Sequence, residues 1–299
     1  MPEDPHLAWT DEQWATMQRI VQESARKARV ASSFLPLVGP LPPGQASVPA
    51  LQLDELSLTD RLRGEAPTRL EIDDGQTLRL TTIACEVYLR TQQAEDPDLA
   101  SAKQMLGRAA DIIGRLEDAI VFNGLSEADK PPKIGTEVAV KPEVYTVHGP
   151  VQDGLLSNNG LKSRKPVENL AKGGEGLVKA VVSSIQELEG LGYYGPFACL
   201  LGHMLYEAAN TPNPGSLVLP SDRITPFLDG GPLRRSSVVP ERQGAVVALA
   251  GSPIDLVVAS DVHVKYLQLS IEPRYVLRVS ERFVLRMKQP RACCLLEAR

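Results

Sequence analysis

The chain has 299 residues, of which 43% are hydrophobic and 23% charged, and its formal net charge is -5. This composition is typical of a globular protein, and the acidic balance argues against a nucleic-acid partner, because dedicated nucleic-acid-binding proteins show a basic footprint. No segment approaches the run of about 18 apolar residues that a membrane-spanning helix needs. The first residues have no apolar signal core either. We therefore expect no membrane partner and a cytoplasmic location.

The first predicted element is an amphipathic helix over residues 10–31, which Thr10 or Asp11 caps. Its charged residues lie opposite a narrow apolar stripe with i, i+3, i+7 spacing. The stripe consists of Trp14, Met17, Val21, Ala25 and Ala28. A helix with one apolar face must lie on another surface of the protein.

A proline- and glycine-rich hinge follows at residues 36–49, and then an alternating pattern over residues 51–89 predicts strands. The Asp74-Gly75 pair is typical of a tight hairpin turn. A two-stranded arm with so few apolar residues cannot bury itself, so we expect it to lie on a neighbouring molecule.

Residues 99–122 predict a long helix that ends at Gly124. The segment 126–172 is rich in proline and reads as irregular, with one short strand at 143–147.

The remaining chain alternates between helix and strand and ends in β-structure. The predicted elements are a helix at 174–188, a strand at 196–201, a helix at 203–209, a proline-rich loop at 211–220, and strands at 245–250, 254–259, 263–271 and 275–287. Because side chains alternate along a strand, the last strand should be apolar on one face and cationic on the other, where Arg278, Arg282 and Arg286 lie.

The residues that could support catalysis or metal binding are scattered. Four cysteines without CxxC spacing, Cys85, Cys199, Cys293 and Cys294, predict buried reduced thiols. The adjacent Cys293 and Cys294 would point to opposite faces of a strand, which makes a poor metal pair. The four histidines are far apart and form no metal-binding motif. We expect neither metal nor cofactor.

Two short motifs have a chemical interpretation beside a structural one. Glu117 and Asp118 could form a general-acid pair, although solvated or ion-paired roles are far commoner late on an amphipathic helix. The glycines from Gly173 to Gly176 could bind a phosphate at a helix start, but the Lys-Ser/Thr of a P-loop is missing. No constellation predicts catalysis, so we expect a protein that is not an enzyme.

Five segments, taken in order, resemble the encapsulin family, also called linocin- or bacteriocin-like, the shell proteins of bacterial nanocompartments. They are DEQWATMQRIVQESARKARVASSFLPLVGP (11–40), LEDAIVFNG (116–124), GLLSNN (154–159), GYYGPFACLL (192–201) and VSERFVLRMKQPRACCLLE (279–297). Each segment alone is a weak signal, but the shared order spans most of the chain.

The resemblance implies an α+β, phage-capsid-like fold of the Hong Kong 97 type. By position, it implies an N-terminal inner helix and hinge at 1–50, an E-loop that reaches over a neighbouring subunit at 51–82, a P-domain with a long spine helix at 83–192, loops inserted into it at 126–172, an A-domain at 193–260, and C-terminal P-domain strands at 261–299.

The same resemblance implies a self-assembling icosahedral shell of about 60 copies or a multiple. The shell would enclose a cargo enzyme that carries a short targeting peptide, for iron storage or oxidative-stress defence. The family's inner helix and terminal strands imply a cargo-peptide site at Trp14, Met17, Val21, Ala25, Ala28, Phe283 and Leu285. The structural alternative is that the stripe only packs the helix onto the P-domain. A pore loop is implied at Asn210, Thr211, Asn213, Gly215 and Ser216.

Some residues depart from the family pattern. Ser32 and Pro36 stand where the first helix of encapsulins ends with an arginine and an aspartate, and no tryptophan near Tyr88 supports a flavin site.

Two other functions stay open at this point. A phage major capsid protein is disfavoured because the first helix begins near residue 10 and is not basic, and a bacteriocin- or peptidase-like enzyme is disfavoured because no catalytic spacing exists.

Overall fold

Two five-stranded sheets form the framework of the computed structural model, which confirms the predicted α+β class. The structure describes residues 7–53, 72–73, 75–126, 145–157, 163–168, 174–212, 218–270 and 274–298.

The first sheet carries the two longest strands. In spatial order its strands are β1 (Leu37–Val38), β12 (Ile254–Leu269), β13 (Arg274–Met287), β6 (Thr81–Arg90) and β7 (Tyr145–His148). One face of this sheet packs against two helices, α1 (Asp11–Ala28) and α3 (Ala100–Asn123). The side chains buried between them form the larger hydrophobic core.

The second sheet separates the two hydrophobic cores of the protein. In spatial order its strands are β10 (Leu233–Arg235), β9 (Phe197–Leu201), β11 (Gln243–Ala248), β14 (Cys293–Ala298) and β8 (Arg164–Val167). Cys293 belongs to the larger core, whereas Cys294 belongs to a second core with α4 (Glu175–Gly190) and α5 (His203–Asn210). The predicted opposite orientation of these two cysteines is confirmed, and all four cysteines are buried and free.

The helices lie close to where the sequence predicts them. Thr10 caps α1 through its hydroxyl, which accepts a hydrogen bond from the Gln13 backbone N–H, and the Gln13 side chain accepts one from the Thr10 N–H in return. α3 ends before Gly124, whose φ of 80° is the left-handed conformation that glycine adopts at little cost. Two short helices, α2 (Thr91–Ala94) and α6 (Pro220–Ile224), were not predicted.

Strand β12 corrects the prediction of two separate strands at 254–259 and 263–271. It runs unbroken beside β13, with register shifts between Val258 and Ser260 and between Ser260 and His263. Bulges at these positions accommodate the polar residues Ser260 and Asp261 as extra residues in β12, so the pairing with β13 continues after them.

The pairing of the β-arm also differs from the predicted hairpin at Asp74-Gly75. β5 (Thr77–Arg79) pairs with β2 (Ser47–Pro49), and β4 (Ile72–Asp73) pairs with β3 (Gln52–Leu53). Strands β4 and β5 therefore each pair with a strand that precedes them in the chain, and not with each other. The β2–β5 pair is favoured because Val48 and Leu78 pack on Val257 and Val284 of the first sheet. Asp74 itself lies outside the described residues.

Strand β12 lies across the expected boundary at residue 260, and the expected domain bounds stay a prediction. All of β12 lies in the first sheet, although its first residues fell in the predicted A-domain segment. β14 pairs with β11 and β8 in the second sheet, although 261–299 was expected to complete the P-domain. The 3-10 turn at Pro290–Ala292 redirects the chain from one sheet to the other.

The predicted cationic face of β13 is partly neutralised by carboxylates on the adjacent strands. Arg286 forms two hydrogen bonds with buried Asp255 of β12, at 2.9 and 2.8 Å. Arg278 reaches Glu86 of β6 at 2.6 Å, in a more exposed position. The register explains both pairs, because Asp255 lies directly opposite Arg286 and Glu86 directly opposite Arg278.

Replacing the arginine of each ion pair by leucine should lower the free energy of unfolding by different amounts. Arg286→Leu should destabilise the protein by about 3 kcal/mol, because among the described residues it leaves buried Asp255 with Lys288 as its one cationic partner, at 3.1 Å. Arg278→Leu should cost less than about 1 kcal/mol, because that pair is partly solvated. Urea unfolding midpoints at equal protein concentration test this. Equal midpoints for the two variants would contradict the assigned role of the Asp255 pair.

Candidate functional site

The N-terminal helix α1 lies against α3 and beside β12. Its residues Met17, Val21 and Ala25 have no solvent-exposed surface. The two helices approach closely at Gly114 of α3, where a Cβ atom would stand 3.0 Å from the Ala25 carbonyl oxygen and from the Ala28 Cβ. A glycine at this position lets the helices come closer than any other residue would allow.

Polar contacts fix the first two thirds of α1. The indole N–H of Trp9 donates to the Ala94 carbonyl at 2.9 Å, and the Trp9 ring packs on Trp14 with ring centroids 4.9 Å apart. The Gln18 side chain donates to the Val262 carbonyl at 3.0 Å and accepts from the Val264 N–H at 3.1 Å. The Gln18 side chain thus bonds backbone groups of β12 next to the bulge in that strand, as a neighbouring strand would.

The end of α1 is held by a buried charge cluster, which we call the Arg29 cluster. Its members are Arg29, Glu117, Asp118, Asp261 and Glu281. The Arg29 guanidinium lies 2.5 Å from Glu117, 2.5 Å from Glu281 and 2.9 Å from Asp261. The side chains of Glu117 and Glu281 are 0% exposed. One arginine therefore joins α1 to α3, β12 and β13.

Asp118 holds the chain just after α1 in a different way. Its carboxylate accepts hydrogen bonds from the backbone N–H groups of Val30 and Ala31, at 2.8 to 3.0 Å. These bonds explain why α1 ends at Ala28, three residues before the predicted end. Glu117 thus has the ion-paired role that the sequence favoured over a general-acid pair, whereas the binding of backbone N–H groups by Asp118 was not predicted.

Burial dominates the protonation of the cluster. Burial raises the pKa of Asp118 to about 7, although the N–H groups of Ala31 and Val30 act in the opposite direction. Burial also raises the pKa of Glu117 and of Glu281, against the opposing effect of Arg29. For Arg29, the lowering by burial is outweighed by Glu117, Glu281 and Asp261, so the pKa of its guanidinium is raised and it stays charged.

Arg29, Asp261 and Glu281 were not among the predicted site residues. Glu281 carried a usable signal, because it falls between Val279 and Phe283 on the face of β13 that packs into the core. A lone carboxylate at an inward position requires a buried cationic or hydrogen-bonding partner. Nothing in the sequence indicates that this partner is Arg29.

The structure brings most of the predicted cargo-peptide residues into one core. Met17, Val21, Ala25, Phe283 and Leu285 all lie buried in the larger hydrophobic cluster. In this arrangement Met17, Val21 and Ala25 have no surface open to a peptide, because they lie in the interface of α1 with α3 and the first sheet. Trp14 and Ala28 are half-buried and lie at the margins of the helix interface. The cargo-peptide site stays a prediction, and only these two of its residues are accessible.

The predicted pore loop is described only in part. Asn210 and Thr211 are exposed at the end of α5, where their side chains donate to the carbonyls of Tyr206 and Glu207. Asn213, Gly215 and Ser216 lie outside the described residues.

The glycines before α4 have a packing role. A Cβ at Gly176 would stand 1.7 Å from the Glu168 carbonyl oxygen, and Gly174 adopts a φ of 70° beside Ala208. Both positions therefore require glycine to let the chain pass close to neighbouring backbone. Gly173 lies outside the described residues.

Other kinds of site find little support in the described part of the chain. Its residues contain no cluster of three or more histidine, cysteine, aspartate or glutamate side chains arranged for a metal ion. None of its helices combines the length and apolar character needed to cross a bilayer. A cleft of about 540 Å³ lies beside α4, where Val178, Val182 and Phe227 meet the Arg223–Glu175 ion pair.

Comparison with known proteins first defines the class of protein. The crystal structure of a virus-like particle from Pyrococcus furiosus superposes with a TM-score of 0.68 and 15% identity, covering 96% of this chain and 100% of that one. Phage capsids also share the architecture. At this identity the likeness establishes the fold, so the chain has the phage-capsid fold that the sequence implied.

The sequence comparisons then identify the family that the chain resembles. The family model described as an encapsulating protein for peroxidase matches residues 151–284. The type 1 encapsulin shell protein EncA of Myxococcus xanthus is 25% identical over 96% of this chain and 93% of its own length. A diheme-cytochrome-encapsulin shell fusion protein of Kuenenia stuttgartiensis is 28% identical over 96% of this chain and 73% of its own length. The resemblance to encapsulin shell proteins is confirmed.

Substitutions at two glycines of α3 test whether the close packing of α1 on α3 stabilises the protein. Gly114→Val should lower the free energy of unfolding by about 2 kcal/mol, because the new side chain overlaps Ala25 and Ala28. Gly107→Ala is the matched control. Its nearest neighbours would be the Ser24 hydroxyl at 3.4 Å and an Ile20 methyl at 3.8 Å, and alanine favours a helix interior.

Tryptophan emission during urea unfolding measures the difference, because the two tryptophans of the chain, Trp9 and Trp14, both adjoin the start of α1. Gly107→Ala should match or exceed the unchanged protein in stability. A Gly114→Val variant as stable as Gly107→Ala would show that the close approach of the helices is unimportant.

Proposed function

We propose that the chain is the subunit of an encapsulin-type shell, which self-assembles into a closed icosahedral nanocompartment around a cargo enzyme. The observation that carries the proposal is the match of fold over nearly the whole of both chains with a virus-like particle. The relatives at sequence level, which are named as encapsulin shell proteins, favour an encapsulin over a phage capsid. We propose about 60 copies or a multiple, because an icosahedral shell of identical subunits contains 60 equivalent positions or a multiple of that number.

The β-arm supports association between subunits. The strand pairs β2–β5 and β3–β4 lead into the segment from residue 54 to residue 71, at the centre of the proposed E-loop at 51–82. Residues 54–74 are acidic overall, with Asp54, Glu55, Asp60, Glu65, Glu71, Asp73 and Asp74 against Arg61, Arg63 and Arg69. We propose that this arm lies on a neighbouring subunit.

The first sheet offers a surface of the opposite charge for that arm. On the face turned away from α3, Lys265 lies opposite Arg278, and Arg274 lies opposite Arg90. Arg282 adds another cation to this face, and the carboxylates of Glu86 and Asp255 offset part of the charge. In a chain of net charge -5, so basic a face is unusual and complements the acidic arm.

Electron microscopy of the purified protein and its mass in solution test the proposed assembly. We expect uniform hollow particles, with a mass of about 1.9 MDa for 60 copies of a 32.4 kDa chain. Monomers or dimers under several salt and pH conditions would overturn the shell. Particles filled with nucleic acid, detected by their ultraviolet absorbance, would indicate a phage capsid instead.

A charge reversal tests the proposed arm contact within the same experiment. Lys265→Glu should reduce the assembled fraction, because it puts a negative charge where the acidic arm would lie. Lys103→Glu, at another exposed lysine near the start of α3, is the matched control and should assemble normally. Equal assembly of both variants would exclude this face as the receiving surface.

We further propose that the shell acts in the cytoplasm, has no catalytic activity of its own and encloses an oxidoreductase that handles peroxide or iron. The description of the matched family as encapsulating a peroxidase supports this class of cargo. The proposed docking site for a targeting peptide is the accessible margin of α1 around Trp14 and Ala28, since the centre of the stripe is buried against α3.

Trp14→Ala should form intact shells with less co-purified cargo, because it removes the largest accessible apolar side chain at the margin of α1. Gln22→Ala, on the exposed side of the same helix, is the control and should leave loading unchanged. The measurement is the ratio of cargo to shell protein by quantitative mass spectrometry. Undiminished loading of the Trp14→Ala shell would place the peptide elsewhere.

A further inference from the structure

The Arg29 cluster buries more acidic groups than basic ones. Glu117, Asp118 and Glu281 are buried, Asp261 is 59% exposed, and Arg29 is the cation that faces them. Three fully charged carboxylates around one guanidinium would leave uncompensated negative charge in the core. Such an arrangement is costly, and buried acids commonly avoid it by keeping a proton.

The geometry indicates which groups share that proton. Arg29 contacts Glu117 through Nε and Glu281 through Nη2, both at 2.5 Å, so the two carboxyl groups are brought together at one guanidinium. The negative charge of Glu117 also raises the pKa of Glu281. Apart from Arg29, their buried oxygens meet no hydrogen-bond donor within the described residues. Asp118 differs in its contacts, because its carboxylate accepts hydrogen bonds from two backbone N–H groups.

We propose that Glu117 and Glu281 hold one proton between them, and that this proton fastens the end of α1 to α3 and β13. When the proton is present, one carboxyl group is neutral and the other pairs with Arg29. When it is lost, two carboxylates compete for a single guanidinium, and their repulsion loosens the segment that Arg29 anchors. The N-terminal helix is therefore attached through a proton-dependent latch, whether or not the subunit is assembled.

The direction of the pH dependence follows from burial. Burial raises the pKa of Glu117 from 4.5 to about 7, and that of Glu281 moves in the same direction. The attached helix thus binds more protons than the released one between about pH 4.5 and pH 7. Attachment is strongest at acidic pH and weakens as the pH rises through that window.

In the described part of the chain, Arg29, Asp118 and Asp261 are the charged groups that face the pair. From the end of α1, Arg29 stays protonated throughout the window, because the pKa of its guanidinium is raised. From α3, Asp118 titrates in the same direction as the pair, since burial raises its pKa to about 7. From β12, Asp261 contributes a more exposed negative charge. None of these groups reverses the direction of the predicted pH dependence.

Hydrogen exchange of the full-length protein, read on peptides that cover residues 24–31, tests the latch. After correction for intrinsic exchange, the opening equilibrium of this segment should increase by up to about tenfold per pH unit between pH 5 and pH 7. Glu117→Gln and Glu281→Gln each mimic the protonated state, since glutamine is neutral and similar in shape. Each variant should flatten the pH dependence and should open less than the unchanged protein at pH 8.

Glu23→Gln, an exposed glutamate on α1, is the matched control and should keep the slope of the unchanged protein. Circular dichroism establishes that each variant is folded, and two independent variants guard against the misfolding of one. The proposal is overturned if the unchanged protein shows no pH-dependent opening of residues 24–31, or if both glutamine variants retain its slope. Neither result bears on whether a shell assembles.

Discussion

The packing of the N-terminal helix depends on one buried arginine, Arg29. It contacts carboxylates from three elements that are far apart in the chain, and it does so at the point where α1 ends. The apolar stripe of α1 supplies most of the burial, but apolar contacts alone leave a helix free to slide or rotate on its neighbour. Charge-assisted hydrogen bonds have stricter geometry, so Arg29 fixes the position of the helix. The glycine at 114 makes this possible, because it lets the helices approach closely enough for the guanidinium to reach Glu117 and Glu281.

A second constraint is the position of the sheet that contains β9, β11 and β14. Residues of these three central strands are largely buried, and alternate residues enter different cores, as Cys293 and Cys294 do. The sheet therefore couples the long helix α3 on one side to α4 and α5 on the other. A rigid framework of this kind suits a subunit that must present the same surfaces to many neighbours. The exposed face of the first sheet is basic, whereas the sequence of the arm over residues 54–74 is acidic.

The proposed shell and the proposed latch concern different surfaces of the subunit. Association between subunits would use the arm and the exposed face of the first sheet, whereas the latch lies on the opposite face, beneath α1. In the proposed arrangement α1 also borders the cargo-docking margin at Trp14 and Ala28. A change in protonation at the Arg29 cluster would then affect the lumenal side of the subunit and leave the contacts of the arm unaltered.

The sequence by itself determined the local elements. The Thr10–Gln13 capping box, the apolar period of α3 and the glycine at 124 are local signals, so α1 and α3 could be predicted within a few residues. The five segments that resemble encapsulins in the same order also indicated the capsid fold from the sequence alone. Only the tertiary structure decided what each face meets. A periodic stripe shows that Met17, Val21 and Ala25 are covered, but it does not distinguish α3 from a peptide. Likewise, strand pairing and the partners of Arg29 depend on residues distant in sequence, which local propensity does not encode.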